Sequence, residues 1–96
     1  MAQFDVYRVR GGGLAIDVQS DVLRDLPTRF VVPLRGRDAS VMARLTPIFS
    51  IEGQDFAMVT QLAGAIGVRD LEATVTSLID HEYEIKAALD MLLSGF

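Results

Sequence analysis

The hydrophobic period of this chain changes once, and that single change constrains its fold more than any motif. Most of the sequence carries short β-type apolar runs broken by Gly and Pro, whereas the last segment repeats at helical spacing. Gln3 to Val9 reads as a strand, with Phe4 and Val6 alternating with Asp5 and Tyr7. Arg10-Gly11-Gly12-Gly13 is a turn, and Leu14 to Val18 is a second strand, so the two predict a hairpin. The glycines lack the Lys and Ser/Thr of a phosphate-binding loop and open no helix, so a hairpin loop is the reading.

Further along, Ser20 is placed to cap one helical turn over Asp21 to Asp25, and Pro27 blocks its continuation. Arg29 to Leu34 is rich in β-formers. Pro33 cannot donate to a ladder, so it is expected near a strand end or on an edge. Arg35 to Ser40 reads as a polar loop. Val41 to Ile51 holds one strand or two, interrupted by Pro47. Glu52 to Asp55 reads as a turn into a returning strand, Phe56 to Thr60. Leu62 to Val68 is apolar and small, with Gly64 and Gly67 marking a bend or a close backbone approach.

In the last segment Leu78, Ile85, Leu89 and Leu92 fall on one helical stripe, flanked by His81 and Ala88. Asp80 is the expected N-cap. Asp80, Glu82 and Glu84 favour the positive end of the helix dipole, and Glu82 pairs with Lys86 at a four-residue spacing. Strands followed by one helix predict an α+β domain on a small, strongly bent antiparallel sheet, with residues 1–96 as one domain.

A second stripe, Tyr83, Ala87, Asp90, Met91 and Ser94, lies opposite Ile85 at about 100° per residue. Two readings of its apolar members Tyr83, Ala87 and Met91 stay open: helices tolerate such residues anywhere, or a partner docks there. Gly95 is expected to end the helix in the left-handed conformation, with Phe96 folded back near Met91. Leu93 and Phe96 then make an exposed apolar end suited to anchoring a partner.

Half of the residues are hydrophobic, more than a chain of 96 residues buries well, which favours a homodimer. There is no cysteine, so disulfides and thiolate metal sites are excluded. No leader pattern and no apolar run of roughly 18 residues is seen, so a soluble, cytoplasmic protein away from membranes is expected. Net charge is −4, and all the bases but Lys86 are arginine. Direct nucleic-acid binding usually needs a basic surface, so protein partners are favoured.

Catalytic signals are weak. His81 is the only histidine, and Ile85 stands where a zinc-protease helix needs its second ligand. No nucleophile elbow is present. Asp17 and Asp21 read as turn and cap residues rather than an acid/base pair. No cofactor, metal site or catalytic residue is expected.

Several stretches resemble one family, the CcdB toxins. Asp17-Val18-Gln19-Ser20-Asp21 looks identical to a family stretch, and Gln3-Phe4-Asp5-Val6-Tyr7 is similar to its amino terminus. Arg29-Phe30-Val31-Val32-Pro33-Leu34 resembles its third strand. Glu84-Ile85-Lys86-Ala87-Ala88 resembles its terminal helix, and Gly95 plus a hydrophobic last residue its end. The five stretches lie in order along nearly the whole chain. The resemblance implies an SH3-like antiparallel β-barrel of the CcdB/MazF type with a C-terminal α-helix, present as a dimer. It implies a toxin that binds the DNA gyrase A subunit, traps gyrase on cleaved DNA, has no active site, and is neutralised by a CcdA-like antitoxin that orders on binding. By position, Val22 and Leu23 match a hydrophobic pair at the gyrase-binding surface, and Asp90, Leu93, Ser94, Gly95 and Phe96 match the toxic helix end. The sequence departs from the pattern at Ser94, where Trp is expected, at Asp90, where Asn is expected, and at Phe96, where Ile is expected. A MazF-like endoribonuclease, using Arg8, Arg29 or Arg44 near a phosphate, ranks second, and a non-toxic interaction protein of the same fold third.

Overall fold

The computed structural model describes residues 2–36 and 44–95. Among these, the chain forms β1 (Asp5–Val9), β2 (Leu14–Asp17), β3 (Thr28–Gly36), β4 (Ile48–Ile51), β5 (Gln54–Met58), β6 (Gly64–Gly67), β7 (Leu71–Ser77) and α1 (Glu82–Ser94). Short 3-10 turns lie at Asp21–Leu23, Thr60–Leu62, Val68–Asp70 and Ile79–His81. The strands form one antiparallel sheet in the order β4-β5-β3-β2-β1-β7, with β6 also on β3. The sheet curls into a half-barrel closed by one C-terminal helix, the α+β architecture anticipated from the change in period.

Local chemistry explains the curl. The β1–β2 hairpin turns on Gly11, Gly12 and Gly13, all at positive φ, a region glycine enters without penalty. The β4–β5 hairpin turns on Glu52 (φ 52°) and Gly53 (φ 78°), the pattern of a two-residue hairpin turn. Between β1 and β7 the register slips twice, between Val6 and Tyr7 and between Tyr7 and Val9. Such bulges bend a strand and increase its twist.

Alternation along the strands sorts side chains between two faces. Val6 pairs with Ile16, and Ile16 with Val32; all three are fully buried. They join Phe4, Val18, Leu34, Phe49, Ile51, Met58, Leu78, Ile85 and Ala88 in the main core. The opposite face carries a smaller cluster of Tyr7, Ala15, Val31 and Leu71. Strand parity puts Asp17 and Arg29 on this second face, and both are fully buried. Arg29 Nη2 and Nε lie 2.6 and 2.8 Å from Asp17 Oδ2. Burial pushes the Asp17 carboxyl above its ordinary range, while the Arg29 hydrogen bond and the Gln19 N–H pull it back. Asp17 is therefore more than the turn residue expected from its spacing: it is half of a buried ion pair.

Several expectations need correction. Pro33 lies at neither a strand end nor a sheet edge. It sits inside β3 opposite Ala15, in the gap where the other side of β3 changes partner from β6 (Val31 opposite Gly64) to β5 (Leu34 opposite Met58). The missing N–H is tolerated there because the ladder is interrupted. Arg35 and Gly36 extend β3 rather than opening the loop, and 37–40 lie outside the described residues. Of the stretch Val41 to Ile51, 41–43 are outside them too, and β4 begins only after Pro47. The returning strand covers Gln54–Met58, and Thr60 starts a 3-10 turn. Gly64 to Gly67 is a strand paired with β3, not a bend.

The helix also differs in detail. It starts at Glu82 after a 3-10 turn, and the residue at its N-cap is His81, with no side-chain cap; Asp80 precedes it. Ile85 and Ala88 are buried, Leu89 packs on the core partly buried, and Leu92 is exposed. Leu78 reaches the core from the strand end and is not on the helix. The Lys86–Glu82 pair forms at 2.8 Å. Among the described residues no helix is long and apolar enough to cross a membrane.

Two stability measurements follow. Ile85→Ala leaves a cavity under the helix and is expected to cost about 2–5 kcal/mol in urea unfolding, against under about 0.5 kcal/mol for exposed Tyr83→Ala. Arg29→Met strands the Asp17 carboxylate and is expected to cost about 3–5 kcal/mol, whereas Asp17→Leu combined with Arg29→Met restores most of that loss. A double variant no more stable than the single one contradicts the assignment.

Candidate functional site

Two exposed apolar surfaces stand on well-anchored backbone. The first is the turn after β2. Ser20 Oγ accepts from Val22 N at 3.2 Å, capping the 3-10 turn Asp21–Leu23 as expected. Leu23 N, Arg24 N and Leu26 N donate to Ser20 O, Asp21 O and Leu23 O. Gln3 N donates to Asp21 Oδ1 at 2.8 Å, and Gln3 Nε2 to Val18 O at 3.0 Å. With its backbone satisfied, the turn leaves Val22 87 % and Leu23 49 % exposed. These side chains plug nothing in their own molecule.

The patch extends further than the sequence suggested. Leu26 and Phe30 are also largely exposed. In β3 strand parity puts Phe30 on the same face as Val32 and Leu34, yet at this end of the strand Phe30 is left exposed while Arg29, on the opposite face, is buried. Arg29 is held there by Asp17 across β2–β3. Opposite charges on neighbouring strands, beside an exposed aromatic, are the signal that sequence reading passed over.

Phe4 helps place the amino terminus against this turn. It is fully buried at φ 72°, a strained conformation for a residue with a Cβ. Its N–H donates to Asp17 O at 2.6 Å, and its C=O accepts from Leu78 N at 2.8 Å. Gln3, one residue earlier, thereby reaches Asp21 and Val18.

The second surface is the end of α1. Leu93 is 80 % exposed, and Asp90, Leu92, Ser94 and Gly95 are exposed beside it. Gly95 adopts the left-handed conformation (φ 83°, ψ 6°) and donates to Met91 O at 3.0 Å, the helix stop expected from the sequence. Phe96 lies outside the described residues. Among the described residues no hydrogen bond or ion pair joins the turn to this tail; Gln3 and Gln19 hold the one, the last helical turn the other.

Of the helix strip Tyr83, Ala87 and Met91, the first two face outward and the third only in part. Tyr83 and Ala87 are exposed and Met91 is half-buried. Tyr83 and Ala87 line an open groove of 560 Å³ with Arg44, Glu82, Lys86 and Asp90.

Of the residues considered for catalysis, Arg44 is exposed and lines the groove just described. Arg29 is sealed in its ion pair. Arg8 lies 3.8 Å from Glu52. The His81 ring packs 5.0 Å from Phe49, with Nδ1 3.2 Å from Glu84 Oε1. Among the described residues no group of three or more His, Asp or Glu side chains is placed to hold a metal ion.

Comparison with curated proteins finds no match. The family model described as CcdB protein matches residues 3–95. That span takes in both exposed apolar surfaces, the buried pair beneath the first and the helix carrying the second, so the chain belongs to the CcdB family, a family of toxin–antitoxin gyrase toxins.

Proposed function

We propose that this chain is a cytoplasmic, homodimeric toxin that binds the DNA gyrase A subunit, holds gyrase in its covalent complex with cleaved DNA, and is neutralised by a CcdA-like antitoxin. The observation that carries this reading is the presence of two exposed apolar surfaces, the turn at Val22 and Leu23 and the helix end at Leu93, both on backbone held by hydrogen bonds. Burying such a side chain in a partner contributes about 1.5–3 kcal/mol each. Pre-ordered backbone reduces the entropy lost on binding.

On this reading the chain performs no chemistry. It binds one state of gyrase better than the others, and that difference alone shifts the population. Asp90, Ser94, Gly95 and Phe96 belong to the contact at the helix end. Leu93 supplies apolar area next to Ser94, where the family pattern carries Trp. The strip Tyr83, Ala87 and Met91, with its groove, is the surface offered to the antitoxin. The ribonuclease reading ranks second: Arg29 is sealed from any phosphate, the His81 ring packs on Phe49 beside Glu84, and the exposed Arg8 and Arg44 are the cations left to it.

Expression without an antitoxin in gyrase-sensitive bacteria is expected to stop growth with gyrase-linked double-strand breaks, and co-expression of the cognate antitoxin to restore growth. Growth arrest without such breaks overturns the reading. In calorimetry with purified gyrase A subunit, Val22→Asp and removal of residues 94–96 are each expected to weaken binding by about 30-fold or more, the scale of a binding hot spot. Parental affinity in both variants contradicts the assignment of these surfaces.

A further inference from the structure

Beneath the exposed turn lies Gln19, whose side chain joins the turn to β3. Gln19 is nearly buried, at 9 % exposure. Its side-chain amide has two ends, and both are used. Oε1 accepts from Phe30 N on β3 at 2.9 Å, and Nε2 donates to Leu23 O in the turn at 2.9 Å. One amide thus bridges strand and turn with a donor and an acceptor, as a short piece of β-ladder would.

The backbone of Gln19 is fixed from below. Its N–H donates to Asp17 Oδ1 at 3.0 Å, and its C=O lies 3.5 Å from Arg29 Nη2. Asp17 in turn receives Arg29 through Oδ2. A continuous chain of contacts therefore runs from Arg29 to Asp17, Gln19 and Leu23. Arg29 Nη1 is buried without an acceptor, so the hydrogen bonds of the guanidinium run only through Nε and Nη2. The turn has little apolar packing to hold it: none of Asp21, Val22 and Leu23 is buried. Hydrogen bonds hold its shape.

We infer that Gln19 is a positioning residue for partner binding: its side chain clamps Leu23 and Phe30 so that Val22, Leu23 and Phe30 are presented as one pre-ordered apolar patch. The inference rests on the reading above that this turn meets gyrase. A pre-ordered patch gains in association rate, because only the competent fraction of molecules docks productively. Losing the clamp lowers that fraction and leaves the docked contacts intact.

The test is Gln19→Met, which keeps the length of the side chain and removes both hydrogen bonds. Association and dissociation rates with the gyrase A subunit are measured beside Val22→Asp, and amide hydrogen exchange is followed at Leu23 and Phe30. The expected result is association slowed about tenfold with dissociation within about twofold of the parent. Phe30 N–H is expected to exchange at least about tenfold faster while Val32 N–H in the same strand is unchanged. Val22→Asp, which alters a contact, is expected to speed dissociation instead. Unchanged exchange at Phe30, or a parental association rate despite faster exchange, overturns the inference. If Val22→Asp also binds like the parent, the functional reading fails, and the exchange data alone then decide whether Gln19 clamps the turn. Should Gln19→Met not fold, Gln19→Glu at pH 8 keeps the acceptor for Phe30 N–H and loses the donor to Leu23. It is expected to slow association likewise and to speed exchange of Leu26 N–H, whose acceptor is Leu23 O.

Discussion

Placing Asp17 and Arg29 together inside the smaller face of the sheet is the constraint on which the exposed turn depends. Taking two charges out of water costs several kcal/mol for each, and the cost is offset only when geometry and further hydrogen bonds are good. Here Asp17 Oδ2 takes the guanidinium and Oδ1 takes the Gln19 N–H, so the carboxylate is satisfied at both oxygens. The pair spans β2 and β3 at the point where the chain leaves the sheet. It fixes the direction of the exit, and with it the orientation of Gln19 and the turn. Next to the buried Arg29, Phe30 is exposed at the end of β3, as are Val22, Leu23 and Leu26 in and after the turn.

The helix end is built by different means. Ile85 and Ala88 dock α1 on the main core, and the rest of the helix is increasingly exposed toward its end. Gly95 closes the last turn through a left-handed residue, which leaves Leu93 and Ser94 on a defined surface rather than on a fraying tail. Both apolar surfaces thus share one property. Their backbones are held by hydrogen bonds and their side chains are not buried, the combination that suits non-covalent recognition by a larger partner.

Much of this was legible in the sequence where a local rule acts alone. The change of period marked strands and helix, the glycines marked the first hairpin, Ser20 marked the cap and Gly95 the stop. The misreadings occur where a distant partner overrides a local rule. Pro33 looked like an edge residue because its missing N–H is a local fact, while the change of strand partner that excuses it is not. Gly64 to Gly67 looked like a bend because small residues are poor strand formers, yet β3 supplies a full antiparallel partner. Leu71–Ser77 went unread as a strand although Val75 and its flanking threonines suit one. Asp17 looked like a turn residue because its charge partner lies on the next strand. At the site, the exposed helix end was read from the residues and the Val22–Leu23 surface from family resemblance, whereas Gln19, Leu26 and Phe30 needed the three-dimensional pairing of β2 with β3.

The central claim is that the turn and the helix tail both contact the gyrase A subunit. The chain contains no cysteine, so single cysteines bearing a photo-crosslinker report position cleanly. The probe is placed in turn at Val22, at Leu93 and, as a control, at exposed Glu72 on β7. The account predicts crosslinks to the gyrase A subunit from Val22→Cys and Leu93→Cys and none from Glu72→Cys. Crosslinking from the β7 probe with neither of the other two positions labelled would contradict it.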